Sequence, residues 1–530
     1  MRNKKLQVWL PLLFSLVMIA GMFFGFKLHQ QTGSAKGYFV RDRRSSLQEA
    51  LDLIKNKYVD TVKIDSLQDN AMEGLMNQLD PHSVYIPATD LSEANEDIMG
   101  NFQGIGVEFN IFEDTVNVIY VIPNGPSDKA GLLIGDRIIK VNDSNIVSKT
   151  MPSADIRKLI RGEAGTKVDL TIVRNKAIQH KIVTRGNIPI PSLDAAYMMD
   201  ATTGYIKLNK FAETTYQEFM RAMETLQGKG MKSLMLDLRG NGGGLVTQAT
   251  NIADEFIDGD KLLVYTQGSN TERREYKASK EGVFEKGKLV LLIDELSASA
   301  TEILAGALQD WDRATIVGRR SFGKGLVQEQ YGLSDGAAIR LTVARYYTPT
   351  GRSIQRPYDK GKKIYMEEIM DRYQNGQLLN ADSIHQNTEK AFKTKGGRTV
   401  YAGGGIMPDV FVPIDTSRYT QAITKLYLDG RFNNFVYTYY FNHLSEFNQY
   451  KTPADFAARY RNSADAWSQL VDYAKKDSVN LTNIPAADKA EVQDRIKAYL
   501  ARLRWRTQGF YEVSNALDKV VQQGRAELAK

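Results

Sequence analysis

Ser233-Leu-Met-Leu-Asp-Leu-Arg-Gly-Asn-Gly-Gly-Gly244 is the stretch that decides the fold class. Ser233 to Leu238 reads as a strand that is apolar without alternation, and it runs into a glycine-rich turn. Continuous apolar strands are covered on both faces, as in parallel sheets layered with helices. The flanking sequence agrees on either side. Gly204-Tyr-Ile-Lys-Leu208 reads as a strand and Thr215 to Leu226 as an amphipathic helix. Beyond the turn come a helix, strand Leu289-Val-Leu-Leu-Ile293, a helix from Ala300 to Leu308, and strand Ala314-Thr-Ile-Val317. From Ala201 onward this alternation predicts α/β layering.

Upstream the character differs. Gly104-Ile-Gly-Val-Glu-Phe109, Thr115 to Ile122 and Lys167 to Val173 read as short strands, with Ala154 to Ile160 as a helix between the last two. Ser46 to Leu79 carries apolar residues at helical spacing until Leu79-Asp-Pro-His-Ser-Val-Tyr-Ile86 breaks it, since the residue before a proline avoids the helical region. Asp359 to Lys395 is polar and irregular and reads as a surface insertion; beyond Asp415 the chain reads as strongly helical, with a charged repeat from Ala486 to Ala529.

With 42% hydrophobic and 25% charged residues over 530 positions, the chain is globular, at about three or four domains. The net charge of +7 is a small excess of 69 basic over 62 acidic residues, spread along the chain, and nucleic-acid binding is not expected. The absence of cysteine excludes a disulfide framework, a thiol nucleophile and thiolate metal sites. At the N-terminus Arg2, Lys4 and Lys5 precede an apolar run from Leu6 to Phe26, long enough as a helix for a hydrocarbon core of about 30 Å. No Ala-x-Ala follows it, so an uncleaved signal anchor is expected. Positive residues stay cytoplasmic, which predicts a single-pass inner-membrane protein with its catalytic part on the periplasmic side.

Ser299 and Lys324 are the candidate chemistry. Ser299 lies at a strand-to-helix junction among alanines, where the helix start carries partial positive charge and the backbone N–H of Ala300 points the same way. Lys324 lies between Gly323 and Gly325. A lysine is neutral in only about one molecule in 2,500 at pH 7, so it serves as a base only when desolvated. The plain alternatives are a helix cap for Ser297 or Ser299 and a solvent-exposed turn for Lys324. Gly318 to Lys324 matches the first seven places of a phosphate-binding loop, but Gly325 stands where Ser or Thr is needed, and Leu326 to Tyr331 reads as a strand rather than the required helix. No His-Glu-x-x-His is present, and none of His29, His82, His180, His385 or His443 lies near Ser299 in sequence.

Taken in order, these motifs resemble the carboxyl-terminal processing (tail-specific) serine proteases. The resemblance runs through Leu79 to Ser83, Gly104 to Glu108, the PDZ-like Lys129 to Ile138, Ile160 to Gly162, and Asp237 to Gly244. It continues through the Ser299 segment, Lys324, Gln328, Tyr347 to Gln355 and Gly403 to Val410, so it covers about residues 45 to 415. It implies a mixed α+β multidomain chain: an anchor and linker (1–36), a helical segment (37–95), a PDZ domain (96–185) as a small β-rich barrel-like sandwich, an α/β serine protease core (186–415) with an insertion at about 357–398, and a C-terminal helical region (416–530). It implies Ser299 as nucleophile, Lys324 as general base, Gln328 orienting the lysine, and oxyanion donors from the backbone of Ala300 and Gly243. Gly242 stands where the family often has proline.

The PDZ segment Gly104, Ile105, Gly106, Val107 and Glu108 is implied to take apolar C-terminal tails of protein substrates by strand addition. Arg161 is implied to link that groove to the active site. No metal or organic cofactor is implied. Partners are protein substrates, the membrane through the N-terminal helix, and a second copy in a homo-oligomer; no adaptor is indicated. The rival reading is a catalytically silent PDZ scaffold that binds tails without cutting them.

Overall fold

The structure, a computed structural model, describes residues 4–31, 45–112, 115–147, 151–383, 391–414, 420–428, 430–461, 463–476 and 479–530. Most of the linker expected at Gln30 to Gly37 and residues 384–390 of the expected insertion lie outside the described residues. The chain divides into two units, Met1–Met72 and Glu73–Lys530.

The first unit contains the helices Lys4–Gln31 and Ser46–Lys57 and most of Ile64–Met76. Ser45 caps the second of these, its hydroxyl accepting the Gln48 N–H at 3.3 Å. The expected single-pass membrane anchor, and with it the inner-membrane and periplasmic placement, is corrected here. Among the described residues no helix is long and apolar enough to cross a membrane. The apolar run forms the helix Lys4–Gln31 but is interrupted by Pro11, and the Ser15 hydroxyl turns back onto the Pro11 carbonyl at 2.9 Å.

In the second unit a six-stranded sheet runs in the order Leu193–Met198, Thr203–Leu208, Ser233–Asp237, Lys288–Ile293, Thr315–Gly318, Val410–Phe411. All neighbours are parallel except the first pair. One face is covered by Thr215–Gly228, Val246–Asp254 and Ala300–Asp310. Every residue of Ala300–Asp310 is buried, and Ile303, Leu304 and Leu308 each contribute about 1.5–3 kcal/mol by leaving water. The helix Lys519–Ala529 covers the other face, laying Val520, Val521 and Leu528 on Met235, Val290, Leu292 and Val317. A second sheet joins Val84–Ile86, Ala338–Tyr347, Leu262–Gln267 and Arg274–Lys277, with Leu326–Gly332 paired to Ala338–Tyr347.

The β-rich segment between these parts has the sheet order Val107–Phe112, Thr115–Val121, Arg137–Val141, Lys167–Arg174, Ala177–Thr184. Its entry and exit strands, Asn101–Gly104 and Gly186–Pro189, pair antiparallel, so it leaves and returns to the core at one place. Gly104 to Phe109, read as one strand, is two: the chain bends at Ile105–Gly106, where Gly106 has φ of +74°.

The C-terminal helices Gln421–Leu428 through Ala486–Ser514 enclose their own aromatic core, including Phe435, Tyr439, Phe447, Phe456 and Trp467. The last of them kinks at Trp505 and Arg506. The segment read as a polar and irregular surface insertion is in part regular. It contains the helix Lys362–Gln374, whose Tyr365 and Arg372 are buried. Hydrophobic periodicity misses this helix because one of its two buried contacts is an arginine.

The close fit under Lys519–Ala529 is testable. A Cβ on Gly524 would come within 2.8 Å of Met235 Cε and 3.1 Å of Leu292 Cδ2. Gly524→Leu is therefore expected to cost about 1–3 kcal/mol and lower the melting temperature by several degrees in thermal denaturation.

Candidate active site

Two loops and one side chain build the site. Strand Lys288–Ile293 ends in a turn closed by Asp294, which accepts the N–H groups of Gly240 (2.9 Å) and Leu296 (3.1 Å), and by Ser297, whose hydroxyl donates to the Leu238 carbonyl (2.9 Å). This turn delivers Ser299 to the start of Ala300–Asp310 with φ of 56° and ψ of −116°, a conformation that costs a non-glycine residue about 1–3 kcal/mol. The Ser299 N–H donates to Glu302 Oε2 at 2.9 Å.

Glu302 reaches further. Its carboxylate also accepts the N–H groups of Gly323 (2.7 Å) and Lys324 (2.8 Å) and the Ser321 hydroxyl (2.5 Å). The Tyr346 hydroxyl lies within hydrogen-bond reach of the carbonyls of both Ser299 (3.0 Å) and Lys324. Ser299 and Lys324 are thus held by the same two side chains. Both line one cleft of about 570 Å³, together with Gln328, Gly242, Gly243, Gly244, Arg340 and Tyr346.

Burial pushes the Lys324 ammonium below the ordinary lysine range, and the Arg340 guanidinium adds to the effect. The carboxylates of Glu302 and Asp80 oppose it and are outweighed. Lys324 Nζ donates to Gln328 Oε1 at 2.8 Å, and Gln328 Nε2 donates to the His82 carbonyl. That carbonyl is held by the Asp80 turn. Asp80 accepts the N–H groups of His82 (2.8 Å) and Ser83 (3.0 Å) and the Thr342 hydroxyl (3.0 Å). The His82 imidazole is pushed down to about 4 by burial and by the nearby Lys324 charge. Burial raises Glu302, against its four hydrogen bonds.

The Ala300 N–H heads its helix, where no intrahelical partner exists. Gly243 is pressed against it. With φ of +99°, a Cβ there would lie 2.7 Å from both the Ala298 carbonyl and Ser299 Cβ, and 2.9 Å from Ala300 N, so only glycine fits. The Gly243 N–H, expected to face a substrate, donates instead to Asn241 Oδ1 at 2.9 Å. Asn241 is buried, with its carbonyl accepting the Ala298 N–H (3.0 Å) and the Thr301 hydroxyl (2.9 Å).

In the β-rich domain, strand Val107–Phe112 pairs on one side only among the described residues, with Thr115–Val121. A small cavity of about 70 Å³ lies at its start, lined by Phe102, Gly104, Ile105, Gly106, Val107, Phe109, Arg157, Ile160 and Arg161. Glu108, expected among these residues, pairs with Arg506 of the kinked C-terminal helix, whose guanidinium lies 3.6 Å over the Tyr120 ring. Arg161 stacks 4.6 Å over Phe102 and forms an ion pair with Glu96 at 2.9 Å. Glu96 belongs to the helix Leu91–Met99, whose Asn95, Ile98 and Met99 line the Ser299 cleft.

Glu302, Tyr346, Asn241 and His82 received no role from the sequence. Glu302 had a readable signal, since a serine followed three residues later by glutamate at a helix start is a capping-box pattern. His82 lay in a motif already singled out. Asn241 lay in such a motif as well, and nothing in the sequence marked Tyr346.

Four families match parts of the chain: Peptidase family S41 at residues 202–360, a PDZ domain at 118–174, the activating protease CtpB N-terminal domain at 19–89, and a family of unknown function at 422–506. The chain is 35% identical to the carboxy-terminal-processing protease of Bartonella bacilliformis, over 58% of this chain and 71% of that protein. It is 33% identical to the carboxy-terminal processing protease CtpA of Bacillus subtilis, over 66% and 74%. It is 30% identical to a probable CtpA-like serine protease of Staphylococcus haemolyticus, over 70% and 74%. A parallel α/β core, a PDZ domain inserted ahead of it, and relatives matched over most of their length agree: the chain belongs to the carboxy-terminal processing proteases of peptidase family S41.

Proposed function

We propose that this serine peptidase cleaves proteins chosen by their C-terminal tails, with Ser299 and Lys324 as the catalytic dyad. The observation that carries the reading is the shared clamp: Glu302 and Tyr346 hold the backbones of both residues at one cleft, where burial lowers the lysine. Neutral Lys324 takes the hydroxyl proton as Ser299 Oγ attacks the scissile carbonyl carbon. The Ala300 N–H donates to the oxyanion, joined by Gly243 once a substrate carbonyl competes with Asn241. Collapse expels the amine, which takes the proton back from Lys324, and water activated by the same lysine hydrolyses the acyl ester. Gln328 keeps Nζ aimed into the cleft. No cofactor enters these steps.

Tail selection follows from the unpaired side of Val107–Phe112, to which an extended C-terminus adds as a strand with its apolar end in the Gly104–Val107 cavity. Arg161 supplies the link, because it lines that cavity and is bonded to a helix that lines the cleft.

The full chain, incubated with an unstructured protein that ends in an apolar tail, is expected to cut it. Ser299→Ala and Lys324→Ala are each expected to lower kcat/KM by more than about a thousandfold with the melting temperature little changed. Cleavage at the parental rate by either variant refutes the dyad. Tail binding without cleavage by the parent supports the scaffold reading instead.

The pH dependence has a definite sign. The base works when neutral, so kcat/KM rises with pH along an acid limb whose midpoint lies below the ordinary lysine value of about 10.4. Arg340 repels the lysine proton. Arg340→Gln is therefore expected to move that limb to higher pH, and a limb that stays or falls contradicts the assignment.

Arg161→Ala cuts the connection between groove and cleft. The ratio of cleavage rates for a reporter with a free apolar C-terminus over its C-terminally amidated form is expected to fall toward one.

A further inference from the structure

The insertion helix Lys362–Gln374 lies beyond the Peptidase family S41 match, which ends at residue 360. Yet two of its side chains reach the loop and the turn on which the base depends.

Arg372 is buried against the loop that precedes Lys324. Its Nη1 donates to the carbonyls of Ser321 (2.8 Å) and Arg320 (3.4 Å), its Nη2 to that of Phe322 (3.3 Å), and its Nε to Glu368 Oε1 (2.8 Å). Glu302 holds this loop by the N–H groups of Gly323 and Lys324, and Arg372 holds its carbonyls just upstream. A planar guanidinium meets three carbonyls and a carboxylate at once, which an ammonium does not. Removing it leaves buried carbonyls without donors.

Tyr365, one turn into the same helix, is hydrogen-bonded through its hydroxyl to His82 Nε2 at 2.9 Å, and its ring stands edge-on to the imidazole at 5.2 Å. The His82 carbonyl is the group that receives Gln328 Nε2 and so decides which amide atom of Gln328 faces Lys324. The guanidinium of Arg356 lies 3.9 Å over Tyr365 and 4.0 Å over Phe322, which closes the helix onto the loop.

We propose that the helix Lys362–Gln374 is a built-in positioning element for the catalytic base, with Arg372 fixing the loop that carries Lys324 and Tyr365 fixing, through His82, the carbonyl that orients Gln328. The proposal rests on the Ser299–Lys324 reading given above. The helix touches neither substrate nor the reacting atoms. It acts by holding the lysine dry and aimed.

The test uses the full chain with Tyr365→Phe, Arg372→Lys and Arg372→Ala, measured for kcat, KM, pH–rate profile and melting temperature on the tailed reporter. Lys324 is faced by Glu302 and Asp80, which raise its proton affinity, by Arg340, which lowers it, and by His82, which is neutral above about pH 4. Loosening the loop lets water return to Nζ, so the acid limb is expected to move to higher pH. Tyr365→Phe keeps the ring packing and is expected to lower kcat about tenfold with KM within about twofold; Arg372→Ala is expected to lower it about a hundredfold, with Arg372→Lys recovering only part.

Parental kcat with an unmoved limb in both Tyr365→Phe and Arg372→Lys overturns the proposal. So does a loss of kcat that comes with a lower melting temperature and an unmoved limb, since that marks a purely structural role. If Arg372→Ala does not fold, Tyr365→Phe decides. Ser299→Ala and Lys324→Ala run alongside separate the two readings: if they are silent while the helix variants are parental, only the positioning proposal falls, and if they cleave, the dyad falls first.

Discussion

One buried carboxylate holds the site together. Glu302 takes the N–H groups of Ser299, Gly323 and Lys324 and the Ser321 hydroxyl, and so joins two segments that lie 25 positions apart in the sequence at Ser299 and Lys324. A carboxylate buried without such partners costs several kcal/mol. Here four donors satisfy it, and the arrangement exists only when both loops are in place. Assembly of the site and satisfaction of the charge are therefore the same event. The strained backbone at Ser299 persists for the same reason, because its N–H and its carbonyl are both claimed, by Glu302 and by Tyr346.

The clamp carries an electrostatic cost for Lys324 in its proposed role as base. Glu302 and Asp80 both favour a protonated lysine, which is the wrong state for attack. Desolvation and Arg340 win. The protein keeps the opposing carboxylates because their main work is geometric. Asp80 shapes the turn whose carbonyl receives Gln328, and Glu302 ties the loops. Orientation and proton affinity are thus set by different groups around one side chain. The PDZ strand has a similar division. Val107 lines the small cavity at the start of the strand, while Glu108 is tied to Arg506 and braces the strand from the C-terminal helices.

The parallel layering was readable because the strands from Gly204 to Val317 are continuous apolar runs separated by helical spacing, and burial on both faces leaves that mark directly in the residues. Ser299 and Lys324 stand out in small-residue segments and Gln328 only through the family resemblance, and the structure brings all three to one cleft. The helix within the insertion was not readable because its buried contacts are Tyr365 and Arg372, and an arginine that serves backbone carbonyls looks in sequence like a surface charge. Glu108 belongs to the groove through the family resemblance; its ion-pair partner, Arg506, lies some 400 residues away and owes its place to a kink no periodicity reports. Gly243 is named only through the family resemblance, and the structure sets it against Ser299 and Ala300. The direction of its N–H depends on the Asn241 side chain, and side-chain direction leaves no trace in a glycine-rich string.

The C-terminal helix adds a last constraint that couples fold to site. A parallel sheet needs cover on both faces, and Lys519–Ala529 supplies the second cover at the point where Gly524 lets it sit against Met235 and Leu292. Asp518 begins that helix, accepting the N–H groups of Val520 and Val521, and the same carboxylate receives Arg239 Nη1 at 2.8 Å. Arg239 in turn grips Asp237, which is also bonded to Tyr205 and Lys207. Burial alone would raise Asp237, but the charges of Arg239 and Lys207 outweigh it and hold the carboxyl well below its usual range. Asp237 and Arg239 open the glycine turn that ends beside Ser299. The end of the chain therefore closes the hydrophobic sandwich and fixes the base of that turn through one ion-pair network, so the packing of the last helix and the rigidity of the Gly240–Gly244 turn stand or fall together.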